Sequence, residues 1–114
     1  MDADRTAGDF DLGVVAGRVD AWIGEGHDRL LFDLESVRYL TSSAFGFFLR
    51  IKRVVEERGG GLFLLRPQPF VMRTIQTIGL DEVLTIVEDS AEVAGLLDEA
   101  KEGRALRIDP TRLP

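Results

Sequence analysis

Apolar residues along the chain alternate between helical spacing and short, dense runs. Leu12, Val15, Val19 and Trp22, with Ile23 alongside, recur on one helix face until Gly24-Glu25-Gly26 ends the pattern. Gly8-Asp9-Phe10-Asp11 ahead of them reads as a turn in which Asp11 caps the helix. Leu30-Leu31-Phe32-Asp33-Leu34 has the density of a strand buried on both faces of a parallel sheet, with Asp33 out of character. From Thr41-Ser42-Ser43 onward the period returns to that of a helix. Ala44, Phe47, Phe48, Ile51 and Val55 fall on one face, Lys52, Arg53, Glu56 and Glu57 mostly on another, and Gly59-Gly60-Gly61 stops the run. Leu62-Phe63-Leu64-Leu65 predicts a second strand, closed by Arg66-Pro67-Gln68-Pro69. Val71, Met72, Ile75 and Ile78 then predict a short helix that stops at Gly79. A third strand follows over Leu84 to Val87, and a last helix begins at Ser90 by capping-box logic, carrying Val93, Leu96 and Leu97.

Helix and strand in strict alternation predict an α/β fold, because each crossover between parallel strands needs a connection of helix length. The expected architecture is a small, mainly parallel sheet with alternating helices. Met1 to Pro114 reads as a single domain with no internal repeat or linker. Its core runs from about Gly8 to about Gly103, and Arg104 to Pro114 reads as a C-terminal tail.

Charge and composition narrow the function classes. Fourteen Lys and Arg against twenty Asp and Glu leave a formal charge of −6, which repels a phosphate backbone and argues against direct binding of nucleic acid. With no cysteine and one histidine, the sequence offers neither a thiolate nucleophile nor the ligands of a common zinc or iron–sulfur centre, and no metal or cofactor is expected. The N-terminus lacks the basic and apolar regions of a targeting signal, and no apolar stretch is long enough to span a membrane. The expected location is the cytoplasm, without membrane insertion.

The most informative chemistry is the hydroxyl cluster Thr41-Ser42-Ser43 between a strand and a helix. Thr41 is placed as N-cap, its side-chain oxygen accepting an orphan N–H, and Ser42 and Ser43 follow in the first turn at the positive end of the helix dipole. A hydrolase nucleophile also sits on a strand-to-helix turn, but its elbow needs glycine two residues to either side. Ser42 is flanked by Leu40 and Ala44, and Ser43 by Thr41 and Phe45. His27 stands in an acidic turn with no orienting carboxylate in evidence, so the chain is not expected to be an enzyme. Gly59-Gly60-Gly61 follows a helix and precedes a strand, the reverse of a phosphate-binding loop. Asp33 is expected near the end of its strand, where a carboxylate can find a partner. The pairs Asp81-Glu82 and Glu88-Asp89 read as solvated turn or cap residues rather than a cation site.

Three stretches together resemble the STAS domain of bacterial anti-sigma factor antagonists. They are Leu30 to Leu40 leading into Ser42-Ser43, Arg58-Gly59-Gly60-Gly61 running into Leu62 to Leu65, and Ile75-Gln76-Thr77-Ile78-Gly79-Leu80-Asp81-Glu82-Val83-Leu84. Gly8-Asp9-Phe10-Asp11 resembles the family's Gly-x-x-Asp lead into its first helix. The resemblance implies a protein-binding regulator controlled by serine phosphorylation in a partner-switching pathway. Its partner would be an anti-sigma factor that is also a serine kinase. The family's phosphorylated serine is the first in an Asp-Ser-Ser-Gly motif, a position that falls on Ser42, with Ser43 as second choice. Thr41, Ser43, Ala44 and Phe45 would then be partner contacts, Phe45 at the apolar position after the motif.

Thr41 stands where the motif has Asp, and Ala44 where it has Gly. That departure sustains an alternative: an unphosphorylated scaffold or regulatory subunit, as in stressosomes or the cytoplasmic partner of a lipid-transporting ABC system. The family's N-terminal β-hairpin is expected to be shortened or missing, with only Met1 to Ala7 ahead of the first turn. An uncovered sheet edge is expected there, and with it a homodimer formed by pairing of that edge.

Overall fold

The computed structural model describes residues 10–99 and 105–113. The elements appear in the anticipated order: α1 (Leu12–Gly24), β1 (Arg29–Asp33), α2 (Ser42–Glu57), β2 (Gly61–Leu65), α3 (Pro69–Thr77), β3 (Thr85–Val87) and α4 (Ser90–Glu99). One further strand, β4 (Ala105–Ile108), follows, and short 3-10 turns lie over Leu80–Glu82 and Pro110–Arg112. Asp11 caps α1 as its sequence position suggested, its carboxylate accepting the N–H groups of Gly13 at 2.8 Å and Val14 at 3.3 Å. α4 is capped one residue earlier than Ser90, by Asp89 accepting the Glu92 N–H at 2.9 Å. Gly8, Asp9 and the segment assigned to a shortened hairpin lie outside the described residues.

The strands form one all-parallel sheet in the order β3-β2-β1-β4. From β1 to β3 the chain steps across the sheet in one direction, and from β3 it returns past β2 and β1 to lay β4 on the far side of β1. Right-handed crossovers then place the helix of the return on the opposite face. The packing agrees. Leu30 and Phe32 of β1 and Leu62 and Leu64 of β2 join buried residues of α1, α2 and α3 in one core, while Leu31, Leu65 and Val87 pack on the other face against Val93, Leu96 and Leu97 of α4. The larger core centres on Phe32, whose ring meets Phe48 edge-on at 5.2 Å and Phe47 at 6.2 Å.

The C-terminal segment is not a tail. Ala105–Ile108 pairs in parallel with Arg29–Phe32 of β1, and Ile108, Leu106 and Leu113 pack into the main core. Burial of these apolar side chains supplies the reason for the order. Among the described residues the outer strands of the sheet are β3 and β4, so the edge expected to be open for pairing with a second copy is not that of β1.

At the opposite end of the strands, the turn from α2 into β2 depends on glycine. Gly59 has φ of 84°, and a Cβ on Gly60 would fall on the carbonyl oxygen of Asp28. Ile78, read as part of the apolar face of α3, is exposed beyond the helix end.

Candidate functional site

The segment between β1 and α2 is held from below by an apolar residue at every third position. Leu34, Val37 and Leu40 are buried, while Glu35, Ser36, Arg38 and Tyr39 face outward. The backbone is tied as well: the Leu34 N–H donates to the Leu65 carbonyl at 2.9 Å, and the Val37 N–H to the Leu34 carbonyl at 3.0 Å. A loop pinned in this way presents its outer side chains on a fixed support.

The hydroxyl cluster opens α2 at the end of this loop. Thr41 is the N-cap residue, extended at φ −91° and ψ 167°, but its side chain makes no capping hydrogen bond, so the cap function expected of its hydroxyl is not realised. Ser42 is the first helical residue and is exposed; Ser43 is half-buried. No acidic residue occupies the first turn, so the positive end of the helix dipole is not offset there by a carboxylate of the helix itself.

Two expected contact residues are corrected by their burial. Ala44 is inaccessible and Phe45 is 4% exposed, both within the main core. α2 is apolar at Phe45 because that ring packs inward, and neither residue is available to a partner in this conformation. The exposed apolar side chains at this end of the sheet are others: Tyr39 at 44% and Phe70 at 58%. Tyr39 precedes Ser42 in the loop, and Phe70 lies in the first turn of α3, which is joined to the same loop by Gln68 Nε2 donating to the Glu35 carbonyl at 2.6 Å. Neither was singled out from the sequence. Tyr39 is a lone aromatic in a loop, which carries no periodic signal to set it apart from core, and Phe70 adjoins the apolar positions of α3.

Beside this surface lies a charged cluster of which the sequence disclosed only Asp33. The residue closes β1, as anticipated, and is 2% exposed. Its Oδ2 accepts from Arg66 Nη2 at 2.6 Å and Arg107 Nη2 at 2.7 Å, and its Oδ1 from the Glu35 N–H at 3.1 Å. Arg66 Nη2 also lies 3.3 Å from a carboxylate oxygen of Glu35. Burial works against the charged form of Asp33. The bonds from Arg107, the Glu35 N–H and Arg66, with the positive charge of Arg66, outweigh it and hold the carboxyl below its ordinary pKa. Arg66 reaches this place from a left-handed backbone at φ 52°, the one positive φ of a non-glycine among the described residues. The cluster sits at the carboxyl end of β1, beside the strand where the sheet order reverses.

The other candidates do not assemble a reactive site. His27 is half-buried in the turn before β1, beyond the opposite end of that strand from Ser42. Among the described residues no helix is long and apolar enough to cross a membrane.

Comparisons with known proteins agree with this architecture. The family model of the STAS domain matches residues 13–93, from α1 into α4, leaving β4 beyond the match. A crystal structure from Thermotoga maritima, of a protein provisionally named an anti-sigma factor antagonist, resembles this fold with a TM-score of 0.66. The likeness holds at 21% sequence identity and covers 78% of this chain and 74% of that one. At such identity it bears on the fold alone. No curated protein matches the chain.

Proposed function

The chain belongs to the STAS domain family, whose members are generally non-catalytic regulatory modules, and from that premise we propose that it is an anti-sigma factor antagonist switched by phosphorylation of Ser42. In this reading the protein is not an enzyme but the substrate of its partner, an anti-sigma factor with serine kinase activity. The observation that carries the proposal is the exposure of Ser42 at the first position of α2, at the end of the loop that also exposes Tyr39.

The physics of the switch is simple. A phosphoryl group adds about −1.5 to −2 charges, which the helix N-terminus tolerates in the free domain. A partner packed over Tyr39 and Phe70 would have to desolvate that charge, and each 1.4 kcal/mol of penalty weakens a complex about tenfold. Ser43, half-buried, is the second choice of acceptor, and Thr41 and Ser43 remain at the rim of the docking surface.

A second reading rests on Thr41, which replaces the motif's carboxylate beside the acceptor. Here the same surface docks a partner constitutively, as in a scaffold or transporter subunit, and Ser42 is not modified. Intact-mass analysis of the protein purified from its own host, with peptide mapping, separates the two. One phosphoryl group on Ser42 supports the switch, and the Ser42→Asp variant should then bind the kinase more weakly than Ser42→Ala. An unmodified Ser42 under growth, stress and starvation alike would overturn the switch in favour of constitutive docking.

A further inference from the structure

We infer that Arg107 is a positioning residue for the β1–α2 loop, acting through Asp33, so that the C-terminal strand helps to hold the Ser42 surface in shape. The inference rests on the reading of that surface as the functional one. It adds that a segment outside the family match regulates how firmly the surface is set.

The two oxygens of Asp33 have separate tasks. Oδ1 receives the Glu35 N–H and so fixes the first turn of the loop, whereas Oδ2 receives the guanidinium groups of Arg66 and Arg107. A carboxylate bound through one oxygen alone can swing about its Cα–Cβ bond, and the charged bonds to Oδ2 restrict that motion for Oδ1. Arg66 does not serve Asp33 alone, since its Nη2 is shared with the exposed Glu35 carboxylate. Arg107 comes from β4, which among the described residues pairs in the sheet with β1 alone, so the position of its guanidinium reports whether β4 is seated.

β4 is also suited to local opening. It is a four-residue edge strand, and Arg107 is 47% exposed at its centre. Seating β4 orders Asp33, and Asp33 orders Glu35 and the loop that leads to Tyr39 and Ser42. By linkage, a partner that binds the ordered loop should in turn favour the seated strand.

Hydrogen exchange on the full chain tests this, comparing wild type with Arg107→Ala, Arg107→Lys and the surface control Arg53→Ala. In Arg107→Ala the amides of Glu35 and Val37 should exchange about tenfold faster or more, along with those of β4, while the β2 amides of Leu62 to Leu64 keep their wild-type rates. Lysine should restore most of the loop protection, and Arg53→Ala should leave it unchanged. Unaltered exchange at Glu35 and Val37, or an equal rise across β2, would overturn the inference by showing no link or only global destabilisation. The readout does not involve phosphorylation, so an unmodified Ser42 would defeat the switch and leave this result to stand by itself.

Discussion

Asp33 and Arg107 are 74 positions apart in the chain and meet at 2.7 Å across neighbouring parallel strands. The contact joins the middle of the sheet to its C-terminal edge and makes a buried carboxylate tolerable, since an unpartnered charge there would cost several kcal/mol. Arg66 completes the arrangement from the position just after β2, so residues of three adjacent strands and their continuations share one charge cluster.

The cluster makes stability depend on pH with a definite sign. Asp33 has a lower pKa folded than unfolded, burial being outweighed by Arg107, the Glu35 N–H and Arg66. Its carboxylate therefore adds stability above the unfolded value of about 3.9, and the contribution disappears as pH falls through the folded value. Asp33→Asn should cost about 2 kcal/mol at neutral pH, less than a fully dry ion pair, because the side chains of Arg66 and Arg107 are 34% and 47% exposed and partly screened. Urea unfolding of both proteins at pH 7 and near pH 3 checks this. The gap should narrow in acid, and a gap independent of pH would show that the charge of Asp33 is not what stabilises the fold.

Arg66 contributes a bond and pays a conformational cost, and two substitutions separate them. Arg66→Ala removes the guanidinium and leaves a side chain at φ 52°, whereas Arg66→Gly removes both the guanidinium and the steric conflict. Both variants should be less stable than wild type, with the alanine variant lower than the glycine variant by about 1 kcal/mol. Thermal and urea unfolding of the pair measure the difference directly. If alanine were the more stable, the left-handed backbone would not be retained in solution.

The elements that could be read from the chain were those specified by local signals. Asp11 stands directly before an apolar period and caps it, Gly59 ends α2 where a positive φ is required, and the dense runs from Leu30 and Leu62 become the two central strands. β4 escaped this reading because Ala105-Leu106-Arg107-Ile108 is too short to show a period, and Pro110 close behind resembles the start of a tail. Only its pairing to β1 makes it a strand. Arg66 looked like part of a turn, and nothing local ties it to Asp33 or to a residue 74 positions beyond that aspartate. At the candidate site, the place of Ser42 in the first turn of α2 was legible from the hydroxyl cluster ahead of an apolar period. Which neighbours face outward depended on how α2 rolls against the sheet, and this buries Phe45 while Tyr39 stays exposed.

That orientation gives Phe45 and Ser42 opposite expected phenotypes. Phe45 is packed in the core, so Phe45→Ala should destabilise the domain by about 3 kcal/mol, through lost transfer energy and the cavity left behind. Ser42→Ala removes a hydroxyl from an exposed first-turn position and should change stability by no more than about 0.5 kcal/mol. Equilibrium unfolding distinguishes them without any partner present. A Phe45→Ala domain as stable as wild type would mean that the ring is not held in the core and would return it to the contact surface. A large loss in Ser42→Ala would make the hydroxyl a structural cap, and a binding defect of that variant could no longer be read as the loss of a switch.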